Sequence, residues 1–201
     1  MRPFWLALAL AGCADTTKPG AGDDDDHDHE VITSVVLDFI AQDGGDDVQA
    51  TWSDPENDGS PTIDDITLAS GGAYVLSVSF LNELHEPAED LTAEVEEDGV
   101  VHQLFFTGDA VQGPATGDNP SALMTQAYGD ADDNGLPLGL DNDVAVVASG
   151  NATLTVTLRH MPPEAGTAVK TEDAAATVAS SGFAGLGGDS DAQVDFAVTV
   201  P

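Results

Sequence analysis

The feature that most limits what this chain can become is an alternation of period two. In Thr153-Leu154-Thr155-Val156-Thr157-Leu158 every second residue is aliphatic, and Val31, Thr33, Val35, Leu37 and Phe39 repeat the pattern at the head of the main body. That period lines apolar side chains along one face of an extended strand and forms no stripe on a helix. Further β-rich runs at 48–52, 63–69, 73–81, 100–107, 123–128, 144–148, 152–161 and 193–200 are separated by glycine, proline and Asp-Gly turns. The turn at 42–47 reads as the loop of a first hairpin. Short half-buried strands with turn signals between them predict an all-β fold, an antiparallel β-sandwich of immunoglobulin-like type with one short helix.

The helix is expected at 87–96. Pro87 suits a first turn, acids lie beside the positive helix end, and Ala88, Leu91 and Val95 share a stripe. Its last turn is acidic too, which the helix dipole disfavours, so packing or a bound cation has to hold that end. Residues 164–190, rich in Gly, Ala and Ser without a period, read as a long surface loop.

Lys and Arg total 4 against 37 Asp and Glu, a formal net charge of -33. Such a surface repels phosphate backbones, which excludes nucleic acid as a partner. It also gathers cations, and compacting so much like charge costs free energy that salt or divalent ions relieve. Simple solubility, for instance in a saline habitat, explains the acid equally well.

The first 30 residues differ from the rest. A basic start, an apolar run from Phe4 to Ala11 too short to span a bilayer, and Leu10-Ala11-Gly12-Cys13 are similar to a bacterial lipoprotein signal. On this reading residues 1–12 are the signal peptide, and 13–30 are a lipidated acidic tether. Residues 31–201 then form the β-sandwich domain. Acylation of Cys13 with several chains gives firm anchoring, since each buried methylene adds about 0.8 kcal/mol. The alternative is an ordinary secretory peptide with a chance cysteine. With Cys13 the only cysteine, no disulfide or thiol nucleophile is available. The expected address is the outer membrane, lipid-anchored and facing outward, because Ala14 is not an aspartate retention signal and the acidic tether resembles surface-export signals.

Two stretches carry oxygen ligands at calcium-loop spacing. The first has Asp54, Glu56, Asp58 and Asp65, with Gly59 at the bend; the second has Asp130, Asp132, Asn134 and Asp141. Asp65 is a methylene short of the usual glutamate and strands flank the loop, so Asp-Gly hairpin turns are the competing reading. The histidines suggest a softer ion. His102 shares a strand face with Leu104 and Phe106, and His160 shares one with Leu154, Val156 and Leu158. Imidazole on an apolar face needs a hydrogen bond or a metal. His85 and Glu86 are placed to join them from a loop, giving a set that suits Zn better than Ca. His27 and His29 in the tether form a weaker, unordered candidate. The expected cofactor is thus a divalent metal, Zn or Ca, and no organic cofactor.

Hydrolase, zincin, P-loop and dinucleotide patterns are missing from the sequence, and His85-Glu86-Pro87-Ala88-Glu89 has proline where a zincin needs helix. We therefore expect no enzyme.

Residues 30–37, 54–63, 80–83 with 87–92, 101–106, 130–140 and 154–160 together resemble a family of uncharacterised small lipoproteins of Gram-negative bacteria, often labelled a type 1 periplasmic binding fold superfamily. The label implies an α/β clamshell, which the strand pattern contradicts, because one short helix cannot cover a parallel sheet. The resemblance also implies a gene neighbourhood with TonB-dependent outer-membrane receptors, hence an accessory role in metal uptake with His102 and His160 as the matching positions. Met161-Pro162 stands where the family has an acid before the proline. The expected function is divalent-metal binding at the outer membrane. The competing expectations are a structural or adhesive module stabilised by calcium, and, ranked last, capture of a small organic ligand between the sheets.

Overall fold

The alternation of the first strand translates directly into burial. Val35, Leu37 and Phe39 of β1 (Ser34–Ala41) are fully buried, and β2 (Val48–Ser53) pairs with it antiparallel, Leu37 facing Ala50. The structure, a computed structural model, describes residues 31–201. The expected signal, Cys13, His27 and His29 lie outside the described residues.

The remaining elements are β3 (Thr62–Ile63), β4 (Ile66–Thr67), β5 (Ala73–Asn82), β6 (Glu89–Asp90), α1 (Thr92–Glu97), β7 (His102–Thr107), β8 (Val111–Gln112), β9 (Met124–Tyr128), β10 (Asp141–Val146), β11 (Gly150–His160), α2 (Ala174–Ser181), a 3-10 turn (Phe183–Gly185) and β12 (Asp189–Val200). They form two sheets. The larger runs β3-β2-β1-β5-β10-β9-β8 with β6 added to β5, and it curls into a half-barrel. The smaller runs β4-β12-β11-β7. One apolar core joins them: Leu37, Phe39, Leu76 and Phe80 of the larger sheet bury with Leu104, Phe106, Leu154, Val156 and Phe196 of the smaller. Burying apolar surface from two sheets at about 25 cal/mol per Å² is the main force holding the domain.

Four expectations change. The sheets are not wholly antiparallel, since β4 pairs with β12 and β8 with β9 in parallel. The expected helix begins later, at Thr92. Glu89 and Asp90 hydrogen-bond to β5 as a strand, and the Asp90 carboxylate accepts the Thr92 N–H at 2.9 Å to start the turn. Of the expected stripe, Leu91 and Val95 are buried while Ala88 is exposed. The domain also has a second helix. Within the span read as a loop, α2 lays Ala174, Ala175 and Val178 against Phe105, Met161 and Leu186, a second cluster on the outer face of the smaller sheet. Its weak apolar period hid it, yet alanine is the best helix former and packing supplies the rest.

Candidate metal centre

The register between β7 and β11 places His102 directly opposite His160, in the row that continues from Leu104 opposite Leu158 and Phe106 opposite Val156. Residues directly opposite on one face approach most closely. The two rings stack with centroids 4.8 Å apart and planes at 21°.

The third group comes from the far side of β11. Along β12, Leu158 faces Ala192 and Arg159 faces Ser190, so Asp191 is the extra residue that the register skips. A bulge of this kind bends its strand and re-aims a side chain. Here Asp191 Oδ2 comes within 3.5 Å of His102 Nε2. One donor atom from each of His102, His160 and Asp191 lies within 4.8 Å of the others, the one such convergence of three or more His, Cys, Asp or Glu among the described residues.

The surroundings hold this arrangement firmly. Arg159 donates to Ser190 Oγ at 3.0 Å, to the Leu186 carbonyl at 3.3 Å and to the Gly188 carbonyl, pinning the entry to β12. Gly188 has φ +79°, and a Cβ there would stand 2.0 Å from the His160 carbonyl oxygen, so only glycine fits. On the other side Asp98, just past α1, offers its carbonyl to His102 Nδ1 at 3.1 Å. This answers the question posed by the acidic helix end: an imidazole N–H caps it.

That contact fixes the chemistry. A carbonyl only accepts, so Nδ1 carries the hydrogen and Nε2 is the atom turned toward the Asp191 carboxylate. A lone pair facing a carboxylate is the arrangement in which a metal ion seated between the two would find a nitrogen and an oxygen donor already aimed at it. Zinc held by nitrogen at 2.0–2.1 Å and oxygen at 2.0–2.2 Å gives a tetrahedral edge of about 3.4 Å. The 3.5 Å between His102 Nε2 and Asp191 Oδ2 is close to it, and the three donor atoms together lie within 4.8 Å of one another. Two imidazoles with one carboxylate suit zinc or a neighbouring transition ion and are too poor in oxygen for calcium.

The other candidates do not join this group. His85 instead pairs with the exposed Glu89 of β6 at 3.6 Å, and Glu86 is exposed. Asp191, not His85 or Glu86, completes the set. Sequence reasoning missed it because the core row Val194, Phe196, Val198 and Val200 assigns the face of Asp191 to solvent, and only the bulge reverses that. The Gly187-Gly188 pair before β12 was the available warning.

At the first acidic turn the buried Asp54 accepts the N–H groups of Asp58 at 3.1 Å and Gly59 at 2.8 Å. Asp58 in turn accepts that of Ser60, and Glu56 and Asp65 are exposed. At the second, Asp130 accepts the N–H groups of Gly139, Leu140 and Asp141, and Asp141 accepts the Ser77 hydroxyl. Asp132 Oδ1 accepts from Asn134 and Leu136, and its Oδ2 lies 2.8 Å from Lys170 Nζ in a fully buried ion pair. Lys170 also donates to the Gly99 carbonyl at 2.7 Å. Burial alone would raise the Asp132 carboxyl, but Lys170 and the two N–H groups outweigh it and hold it below its ordinary value. Burial lowers Lys170, with Asp132 and Asp130 opposing.

Comparison of the chain with protein-family models, with curated proteins and with solved structures finds no match, and the case for its function stands on these residues.

Proposed function

We propose that this chain is an outer-membrane lipoprotein whose domain binds a divalent transition ion, zinc or similar, at His102, His160 and Asp191. The observation that carries the reading is the convergence of two imidazoles and a carboxylate within 4.8 Å, reached through one strand register and one bulge. The side chains of His102 and Asp191 keep 14% and 9% of their surface exposed, so an ion has direct access from solvent. Three protein donors leave a fourth position for water or for a donor from a partner. Capture at such a site, followed by hand-over to a TonB-dependent receptor, is the role we assign to it. The two sheets around one core support reading the domain as a β-sandwich, with the curled larger sheet setting it apart from the plain immunoglobulin pattern. The calcium-stabilised module draws less support, because the carboxylates of both acidic turns already accept backbone N–H groups.

Calorimetric titration of the purified protein with zinc tests this. The unaltered protein is expected to bind one zinc per chain and the double variant His102→Ala/His160→Ala to bind none at that site. Equal binding by both would sink the proposal. Saturation should also raise the unfolding midpoint, by the equivalent of about 2.7 kcal/mol at a hundredfold excess over Kd.

A further inference from the structure

We propose that the buried Lys170–Asp132 pair is a positioning device for the imidazole site, tying the second acidic turn to His102 through the Gly99 carbonyl; this rests on the metal-binding reading above. The Gly99 carbonyl oxygen receives two donors, Lys170 Nζ at 2.7 Å and the His102 N–H at 3.2 Å. The neighbouring Asp98 carbonyl receives the Val101 N–H at 3.0 Å and His102 Nδ1 at 3.1 Å. Backbone at 98–99 thus grips His102 by both its main chain and its ring.

Lys170 fixes that backbone from below. The ammonium is held by Asp132, and Asp132 is held by the N–H groups of Asn134 and Leu136 within its turn. Packing leaves Gly99 no slack, since a Cβ there would lie 2.9 Å from the Glu96 carbonyl oxygen and 3.4 Å from Asp132 Cβ. A buried ion pair is seldom more stabilising than apolar residues of the same volume. What an apolar residue cannot do is donate to the Gly99 carbonyl. Lys170 and Arg159 are the only Lys or Arg among residues 31–201, and each is spent holding backbone next to a member of the histidine pair. The sequence spacing of the second turn suggests a calcium loop, and the cation it holds is the chain's own ammonium. Without it the Gly99 carbonyl keeps only the His102 N–H as donor, a small tilt of the 98–99 peptide shifts the Nδ1 contact and Nε2 loses its aim, the usual way an outer partner of a ligand histidine acts.

The test uses zinc affinity by calorimetry and the visible absorption of bound cobalt(II), which reads coordination geometry and not stability. Asp132→Asn with Lys170→Met removes both charges together, and Val111→Ala, a buried position in the larger sheet, serves as the control for a general loss of stability. The double variant is expected to bind zinc about tenfold to a hundredfold more weakly with an altered cobalt band, and Val111→Ala to match the unaltered protein in both. Unchanged affinity and band in the double variant would overturn the proposal, as would an equal change in Val111→Ala. Should the double variant fail to fold, Lys170→Arg keeps the charge but displaces the donor, and an unshifted cobalt band there overturns it as well. Absence of zinc binding by the unaltered protein would remove the metal-binding reading first and this one with it.

Discussion

The carbonyl of Asp98 decides what His102 can be. By accepting from Nδ1 it leaves Nε2 as the reactive atom, facing Asp191 at 3.5 Å. Asp191→Ala is therefore expected to weaken zinc binding at least tenfold while His85→Ala leaves it unchanged, a contrast calorimetry reads directly. A second residue-level outcome concerns Asp132. Its folded value lies below its ordinary one, so the stability it contributes is complete above the ordinary carboxylate range and is lost as the pH falls through the folded value. Acid unfolding should begin below that range and flatten in Asp132→Asn, which itself costs about 3–5 kcal/mol because it leaves a buried ammonium unpaired. Denaturant melts at neutral and acid pH check both statements.

Individual elements show where the sequence was legible. The strands with a pure period, β1, β5 and β11, lie close to where alternation puts them, while the pairing of His102 with His160 is set by the register of β7 on β11. Period carries no record of a register shift, so the bulge in β12 and with it Asp191 stayed hidden. Nor does period detect a helix whose buried face is Ala174, Ala175 and Val178, for alanine gives little contrast between faces. The N-terminal part of the expected helix failed for a third reason: β10 pairs with β5 only along residues 73–77, and Glu89 and Asp90 fill the side left open at its far end. Two substitutions probe these elements. Gly188→Ala sets a side chain at φ +79° against the His160 carbonyl and should cost more than about 1 kcal/mol while weakening zinc binding. Phe105→Ala, beneath α2 and away from the donors, should cost about 3–5 kcal/mol and speed amide exchange in α2, with the zinc site intact in the folded fraction.

For the molecule as a whole, net charge acts on folding and on ion capture in opposite senses. The chain as a whole carries -33, most of it on the acidic side chains of residues 31–201, so the folded body repels itself and any screening relieves it. The same field draws a divalent cation toward the two imidazoles, and that same screening takes the help away. The screening length falls from about 30 Å at 0.01 M salt to about 10 Å at 0.1 M. Raising sodium chloride across that range should therefore raise the thermal midpoint while slowing zinc association, with the dissociation rate little changed, because dissociation is set by the three donors at short range. Stopped-flow association alongside thermal melts in the same buffers separates the two effects. Parallel trends in both would mean that the acidic surface serves solubility alone. Opposite trends mean that one charge distribution both burdens the fold and feeds its site.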